Sequence, residues 1–261
     1  MEGDVKCRQS TIPEEAYMNK IKPKVVLVRS TPDPDALVAS AAKLCYASDT
    51  SDILEDGADS EKFVQALFAL GHLSPIEHAS FTFYVEGVSR AMTHQLVRHR
   101  LASYSQRSQR YVAHASFDYV VPPQLEGKTV VVDGKECDAV DYFCETMAML
   151  AQRYSHLKTA LGDSGEASNQ DARYVLPNAC ETKIFITMNA RELLHFFAER
   201  LCMRAQWEIR AVAEMMFNLV KEKFPAVFCG AGPKCIKAGH CPEGKKTCGK
   251  YKEMVEKYGR A

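Results

Sequence analysis

The stretch RHRLASYSQRSQRY, residues 98 to 111, gathers four arginines, three serines, two glutamines, two tyrosines and one histidine into fourteen positions. Guanidiniums this close repel one another unless an anion or water separates them. Ser103, Ser105, Gln106, Ser108 and Gln109 set hydroxyls and amides among the cations. That is the donor set a phosphate monoester or a pyrophosphate takes up, and a plain solvated loop tied to distant carboxylates is the alternative.

Three other clusters carry polar chemistry. GHLSPIEH places His72, Ser74, Glu77 and His78 directly before an extended run. Pro75 interrupts any helix there, and the spacing differs from the H-E-x-x-H pattern that sets two ligands on one helical face, so a capped turn is favoured over a metal. QDARYVLPNA holds Arg173 between Asp171 and a proline turn. MNARELLHFFAERLCMRAQWEIR repeats Arg191, His195, Glu199 and Arg200 at helical intervals, which puts several on one face. Ion pairs of Arg191, Arg200 and Arg204 with Glu192, Glu199 and Glu208 are the plainer explanation of that run. Toward the C-terminus stand Cys229, Cys235, Cys241 and Cys248 with His240. Their gaps exceed those of zinc-ribbon knuckles, so no metal is expected, and the Gly, Pro and Lys content predicts an irregular tail over 229–261.

The elements that must position these residues follow from pattern. KVVLVRS reads as a short buried strand, and TPDPDALVASAAKLCYAS as a helix with Pro34 in its first turn. A second helix over Ser60 to Leu70 stops at Gly71. SFTFYVEG alternates, with Phe81, Phe83 and Val85 on one face of a strand. SRAMTHQLVRHR returns to helical spacing, so the basic stretch starts at a helix end and runs through a loop toward a further extended segment, YVAHASFDYVVPP. KTVVVDGKECD suggests a hairpin on an Asp-Gly turn. Asp138 to Leu161 is a long helix capped by Asp138 and closed by Gly162. CETKIFITMN is another strand, followed by a long helical region broken near Cys202. The order lacks regular βαβ repeats, which favours a mixed α+β fold over a doubly wound sheet. Neither G-x-G-x-x-G nor a P-loop occurs, which argues against a Rossmann site.

A chain of 261 residues, 46% of them hydrophobic and with no evident linker, is expected to form a single catalytic domain spanning 1–261. Basic and acidic residues balance at 33 each, so no global field attracts nucleic acid and any basic function is local. No apolar run reaches the length of a membrane span, and the N-terminal MEGDVKCRQS lacks the order of a secretory signal. A cytoplasmic protein is expected, with most of its ten cysteines reduced and in the core, as for Cys45, Cys144 and Cys202.

Arg98-His99-Arg100, seven further residues and Ser108 match the R-H-R-x7-S signature of the flavin-dependent thymidylate synthases, which this chain resembles from about Lys24 to Phe228. GHLSPIEHASFTF, Gln95, ARYVLP, NAREL and RAQWEI extend the resemblance in order. It implies an antiparallel sheet flanked by helices and a homotetramer with active sites shared between subunits. The implied reaction is methylation of dUMP to dTMP, in which methylenetetrahydrofolate gives the carbon and FAD, reduced by NADPH, gives the hydride. By the same resemblance, FAD is held by His72, Ser74, Glu77, Arg98, His99, Arg100, Leu101, Asn189, Arg191 and His195. The nucleotide is held by Gln95, Arg98, Gln106, Ser108, Gln109, Arg110, Arg173 and Arg200. Arg200 and Arg173 are typed to polarise the uracil carbonyls, and Ser108 to contact phosphate or substrate, since no His-Asp pair is evident to activate it. The chain departs from common family members at His195, Arg204, Ser105 and Gln106. Two rivals are a thymidylate synthase with a cysteine nucleophile and an RNA-binding module that stacks bases on the tyrosines of the basic stretch. No cysteine lies in the signature and the net charge is zero, which counts against both.

Overall fold

The computed structural model describes residues 21–48, 53 and 60–259. Two compact units are woven from alternating segments of the chain. The first takes residues 23–85, 94–105 and 184–261; the second takes 86–93, 106–183 and the residues up to 22.

Four strands make the main sheet: β1 (Lys24–Ser30), β2 (Ser80–Ser89), β3 (Ala102–Gln106) and, after a hairpin described below, β6 (Glu181–Asn189), in the order β1-β2-β6-β3. The last residues of β2 and the first of β6 are counted in the second unit. Along β2 and β6 the partners run in opposite directions: the Ala190 N–H donates to the Ala79 carbonyl (2.8 Å), the Thr82 and Thr187 hydroxyls meet at 2.9 Å, and the Tyr84 and Phe185 rings lie 5.2 Å apart. The alternation read from the sequence is realised in full, since Phe81, Phe83 and Val85 are completely buried on one face.

The helices of the first unit are α1 (Pro34–Leu44), α2 (Ser60–Leu70), the last three residues of α3 (Arg90–Leu96), α6 (Ala190–Arg200), α7 (Trp207–Lys223), α8 (Lys234–Ala238) and α9 (Tyr251–Tyr258). Phe81 on β2 meets Phe224 and Phe228, which follow α7, edge-on at 5.2 and 5.3 Å, and Phe197 of α6 meets Phe217 of α7 in the same manner. The expected break in the long helical region falls at residues 201–206, where the Gln206 side chain caps α7 by accepting from the Glu208 and Ile209 N–H groups.

The second unit contains the hairpin of β4 (Thr129–Val132) and β5 (Lys135–Asp138), with α4 (Ala139–Ala160) and α5 (Glu166–Ala172). Asp133 and Gly134 both take positive φ, 50° and 76°, as a two-residue turn matched to strand twist requires. Asp138 accepts from the Val140 and Asp141 N–H groups at the start of α4, and Gly162 follows its end with φ 84°. Phe117, Tyr119, Cys144, Met147 and Cys180 form the core of this unit.

Four expectations are corrected. The basic stretch is not all loop, because Ala102–Gln106 forms edge strand β3. YVAHASFDYVVPP is not a strand: its ladder is a single bridge between Tyr119 and Cys180, and Pro122 and Pro123 supply no N–H to extend it. The region after 229 is not uniformly irregular, since α8 and α9 lie within it. Among the described cysteines, Cys45, Cys144, Cys180, Cys202, Cys229, Cys235, Cys241 and Cys248 are free thiols, but Cys45 is exposed and Cys202 half-buried rather than core. No described helix is long and apolar enough to cross a membrane.

Candidate active site

The R-H-R triplet occupies the turn that ends α3. The His99 N–H donates to the Leu96 carbonyl and the Arg98 N–H to the Gln95 carbonyl. Tyr104, on β3, brings its hydroxyl to the carbonyls of Leu96 (2.9 Å) and His99 (2.8 Å), tying the strand to the turn. Burial, then the nearby Glu192 carboxylate, raises the Tyr104 pKa, so the phenol stays a donor. The turn thereby alternates: Arg98 and Arg100 face outward and His99 inward, only 4% exposed.

His99 is fixed at both ring nitrogens. Nδ1 lies 3.2 Å from Glu192 Oε1, and the Arg200 Nε–H donates to Nε2 at 3.0 Å. A guanidinium can donate only to an unprotonated nitrogen, so the proton sits on Nδ1 and points at Glu192. Burial, with Arg200 and then His195 adding unfavourable charge, holds the His99 pKa down at about 4. The contact with Glu192 is therefore a hydrogen bond from neutral imidazole. Burial raises the Glu192 carboxyl above its usual range. His99, Glu192 and His195 bring ligand atoms within 4.8 Å of one another, yet the two bonds just described leave His99 no ring nitrogen for a cation.

A groove of about 630 Å³ opens over this turn, lined by Glu77, Arg98, His99, Arg100, Leu101, Asn189, Arg191, Glu192 and His195. Asn189 also caps α6, its side-chain oxygen accepting from the Glu192 N–H, so one residue fixes both the helix start and the groove wall. Eight of the ten residues assigned to the flavin are thus gathered in one place. His72 and Ser74 do not line it and lie exposed around the 3₁₀ turn Pro75–His78, where Ser74 makes no side-chain cap. Glu192 was missed as a site residue; its N3 position after a capping asparagine was the available signal. Arg191 pairs with Glu77, and Arg204 with Glu243, rather than with glutamates of their own helical run. The Arg98 and Arg100 guanidiniums have no ion-pair partner among the described residues.

The nucleotide-assigned residues divide between the units. Gln95, Arg98 and Arg200 lie in the first; Gln106, Ser108, Gln109, Arg110 and Arg173 lie in the second. In the second, the Ser108 hydroxyl accepts from the Arg110 and Tyr111 N–H groups and so shapes the turn that follows β3. The Gln106 amide donates to the Thr93 and Thr182 hydroxyls, and Gln109 hydrogen-bonds Cys180, so both amides are engaged within the protein. Arg110 pairs with Glu166 at 2.5 Å, and the Arg173 Nε–H donates to the Gln170 carbonyl at 3.2 Å. Arg107, unassigned from sequence, pairs with the buried Glu181 at 3.0 Å.

A cysteine nucleophile would need an ionised thiol beside a base. Cys180 lies 3.9 Å from His114 Nδ1. Burial pushes the Cys180 thiol up to about 11, and burial with Arg107 and Arg90 holds His114 down at about 4, so both partners are neutral and the thiol is inert.

Residues 26–226 match the family described as thymidylate synthase complementing protein. The chain is 50% identical over 236 residues to a flavin-dependent thymidylate synthase of Geobacter sulfurreducens, covering 88% of this chain and 96% of that protein. It is 47% identical over 246 residues to one of Nitratidesulfovibrio vulgaris, covering 90% and 97%. Among solved structures, a UMP/dUMP methylase, PolB, from Streptomyces cacaoi, bound with 5-Br dUMP, is similar with a TM-score of 0.63 and 28% identity, over 82% of this chain and 97% of that one. With the signature arginines and His99 folded into one groove and the match running through most of the sequence, the chain belongs to the flavin-dependent thymidylate synthases.

Proposed function

We propose that this enzyme methylates dUMP to dTMP, with FAD lying in the groove over the R-H-R turn, methylenetetrahydrofolate as carbon donor and NADPH as reductant. The observation that carries this reading is the pair of outward guanidiniums of Arg98 and Arg100, without an ion-pair partner among the described residues, in a groove whose floor, His99, is uncharged. Two such cations fit a diphosphate, and a neutral floor adds no further cation to crowd them. His195 and Asn189 add polar groups to the wall, and Leu101, 73% exposed, offers apolar surface for a ring system.

FAD, when bound, supplies a two-electron carrier that passes a hydride to the carbon delivered to the base. The protein's own part is orientation and charge. Arg200 is held by its bond to His99, which leaves its terminal N–H groups to reach a uracil carbonyl and to stabilise negative charge gathering on the base. Arg173 is the second residue assigned that role, and Ser108 and Arg110 are assigned to the phosphate. The relatives' resemblance further supports a homotetramer with shared sites, a cytoplasmic setting, and one catalytic domain over 1–261 with 229–261 as its tail.

Thermal unfolding with added FAD tests the groove assignment. A cofactor at a hundredfold over its dissociation constant stabilises the native state by about 2.7 kcal/mol, so the apo enzyme's Tm rises on addition of FAD. Arg98→Ala and Arg100→Ala each lose most of that rise. An unmoved Tm in the wild type, or an undiminished rise in both variants, contradicts the assignment.

A further inference from the structure

The break between α6 and α7 contributes Cys202, and the C-terminal segment contributes Cys235 on α8 with Cys241 and Cys248 between α8 and α9. All four line one cavity of about 210 Å³, and all four are half-buried free thiols. The sulfurs of Cys202, Cys241 and Cys248 lie close enough to that of Cys235 to interact with it electrostatically. The Thr247 hydroxyl and the Glu243 and Cys248 N–H groups donate to the Cys241 sulfur. Donors aimed at a sulfur are the outer-shell support a ligated thiolate requires. Arg204, paired with Glu243, and Lys234, paired with Glu199, line the same cavity together with Arg200.

We propose that Cys202, Cys235, Cys241 and Cys248 form a tetrathiolate centre for a thiophilic metal, zinc or iron. Four converging thiols are a metal-ligating set, since thiolates select soft or thiophilic metals. Four thiolates hold either a tetrahedral zinc or a polynuclear iron–sulfur cluster. The sequence gaps are too long for zinc knuckles, which is why spacing alone argued against a metal. The contribution of Cys202, thirty-odd residues upstream, is visible only in the fold. The centre ties the end of α6 to α8 and α9. Those helices wall a second cavity, of about 1260 Å³, which includes Arg191 and His195 of the flavin groove.

Metal and acid-labile sulfide analysis of the full-length enzyme, purified without oxygen, tests this independently of catalysis. About one zinc per chain, or iron with acid-labile sulfide, is expected, the first for a mononuclear centre and the second for a cluster. Cys235→Ser and Cys241→Ser lose the metal, and Cys45→Ser, outside the cavity, keeps it. The wild-type stoichiometry stands alone if a variant fails to fold. Metal-free protein after anaerobic reconstitution with zinc, or with iron and sulfide, with the four thiols reactive or linked as disulfides, overturns the site.

Discussion

Arg200 and His99 define each other's chemistry. The arginine donates to the one nitrogen the imidazole leaves unprotonated, and the imidazole keeps the guanidinium from swinging free. Arg200→Ala is expected to lower turnover by about 10²-fold or more, the scale of losing a preorganised charge donor, while the bound flavin spectrum changes little. Steady-state rates and absorbance on the same sample check both halves. Cys180→Ala is expected to keep its turnover, because a thiol pushed up to about 11 beside a neutral histidine has no nucleophilic form at working pH. Loss of dTMP formation in that variant, with its fold intact, would restore the cysteine mechanism.

The turn at the end of α3 depends on β3 through one hydroxyl. Tyr104→Phe removes the donor shared by the Leu96 and His99 carbonyls, at a cost of about 1–3 kcal/mol in stability, and weakens FAD binding because the turn carries Arg98 and Arg100. Chemical denaturation and an FAD titration read the two effects. β3 itself was hidden in the sequence. ASYSQ alternates one polar group with another and buries neither face, so no hydrophobic period announces a strand. β2 was legible because Phe81, Phe83 and Val85 mark every second position, and α4 because Asp138 and Gly162 bound it. YVAHASFDYVVPP misled in the other direction: its β-favouring residues pack the second unit's core without pairing along a ladder. The site divided similarly. The R-H-R-x7-S spacing named the cationic residues, whereas the role of Glu192 and the inward turn of Gln106 and Gln109 depend on contacts between segments far apart in sequence.

Both units bury a neutral histidine, and this sets the acid limit of the whole enzyme. His99 and His114 have folded pKa values of about 4 against an ordinary value of 6.5. Between these values the unfolded chain binds protons that the native state refuses. Stability is therefore full above pH 6.5 and falls as pH drops toward 4, by up to about 1.4 kcal/mol per pH unit for each histidine. A Tm that is flat from pH 7 to 4.5 would contradict this. The enzyme is also expected to sediment as a homotetramer with FAD bound, and a monomer at micromolar concentration would count against shared sites. The decisive test is the folate left after one turnover with dUMP, methylenetetrahydrofolate and NADPH. If the flavin gives the hydride, the folate surrenders only its carbon and emerges as tetrahydrofolate, one per dTMP. Dihydrofolate in equal amount to dTMP would mean that the folate itself was oxidised and that the groove over His99 is not where the electrons come from.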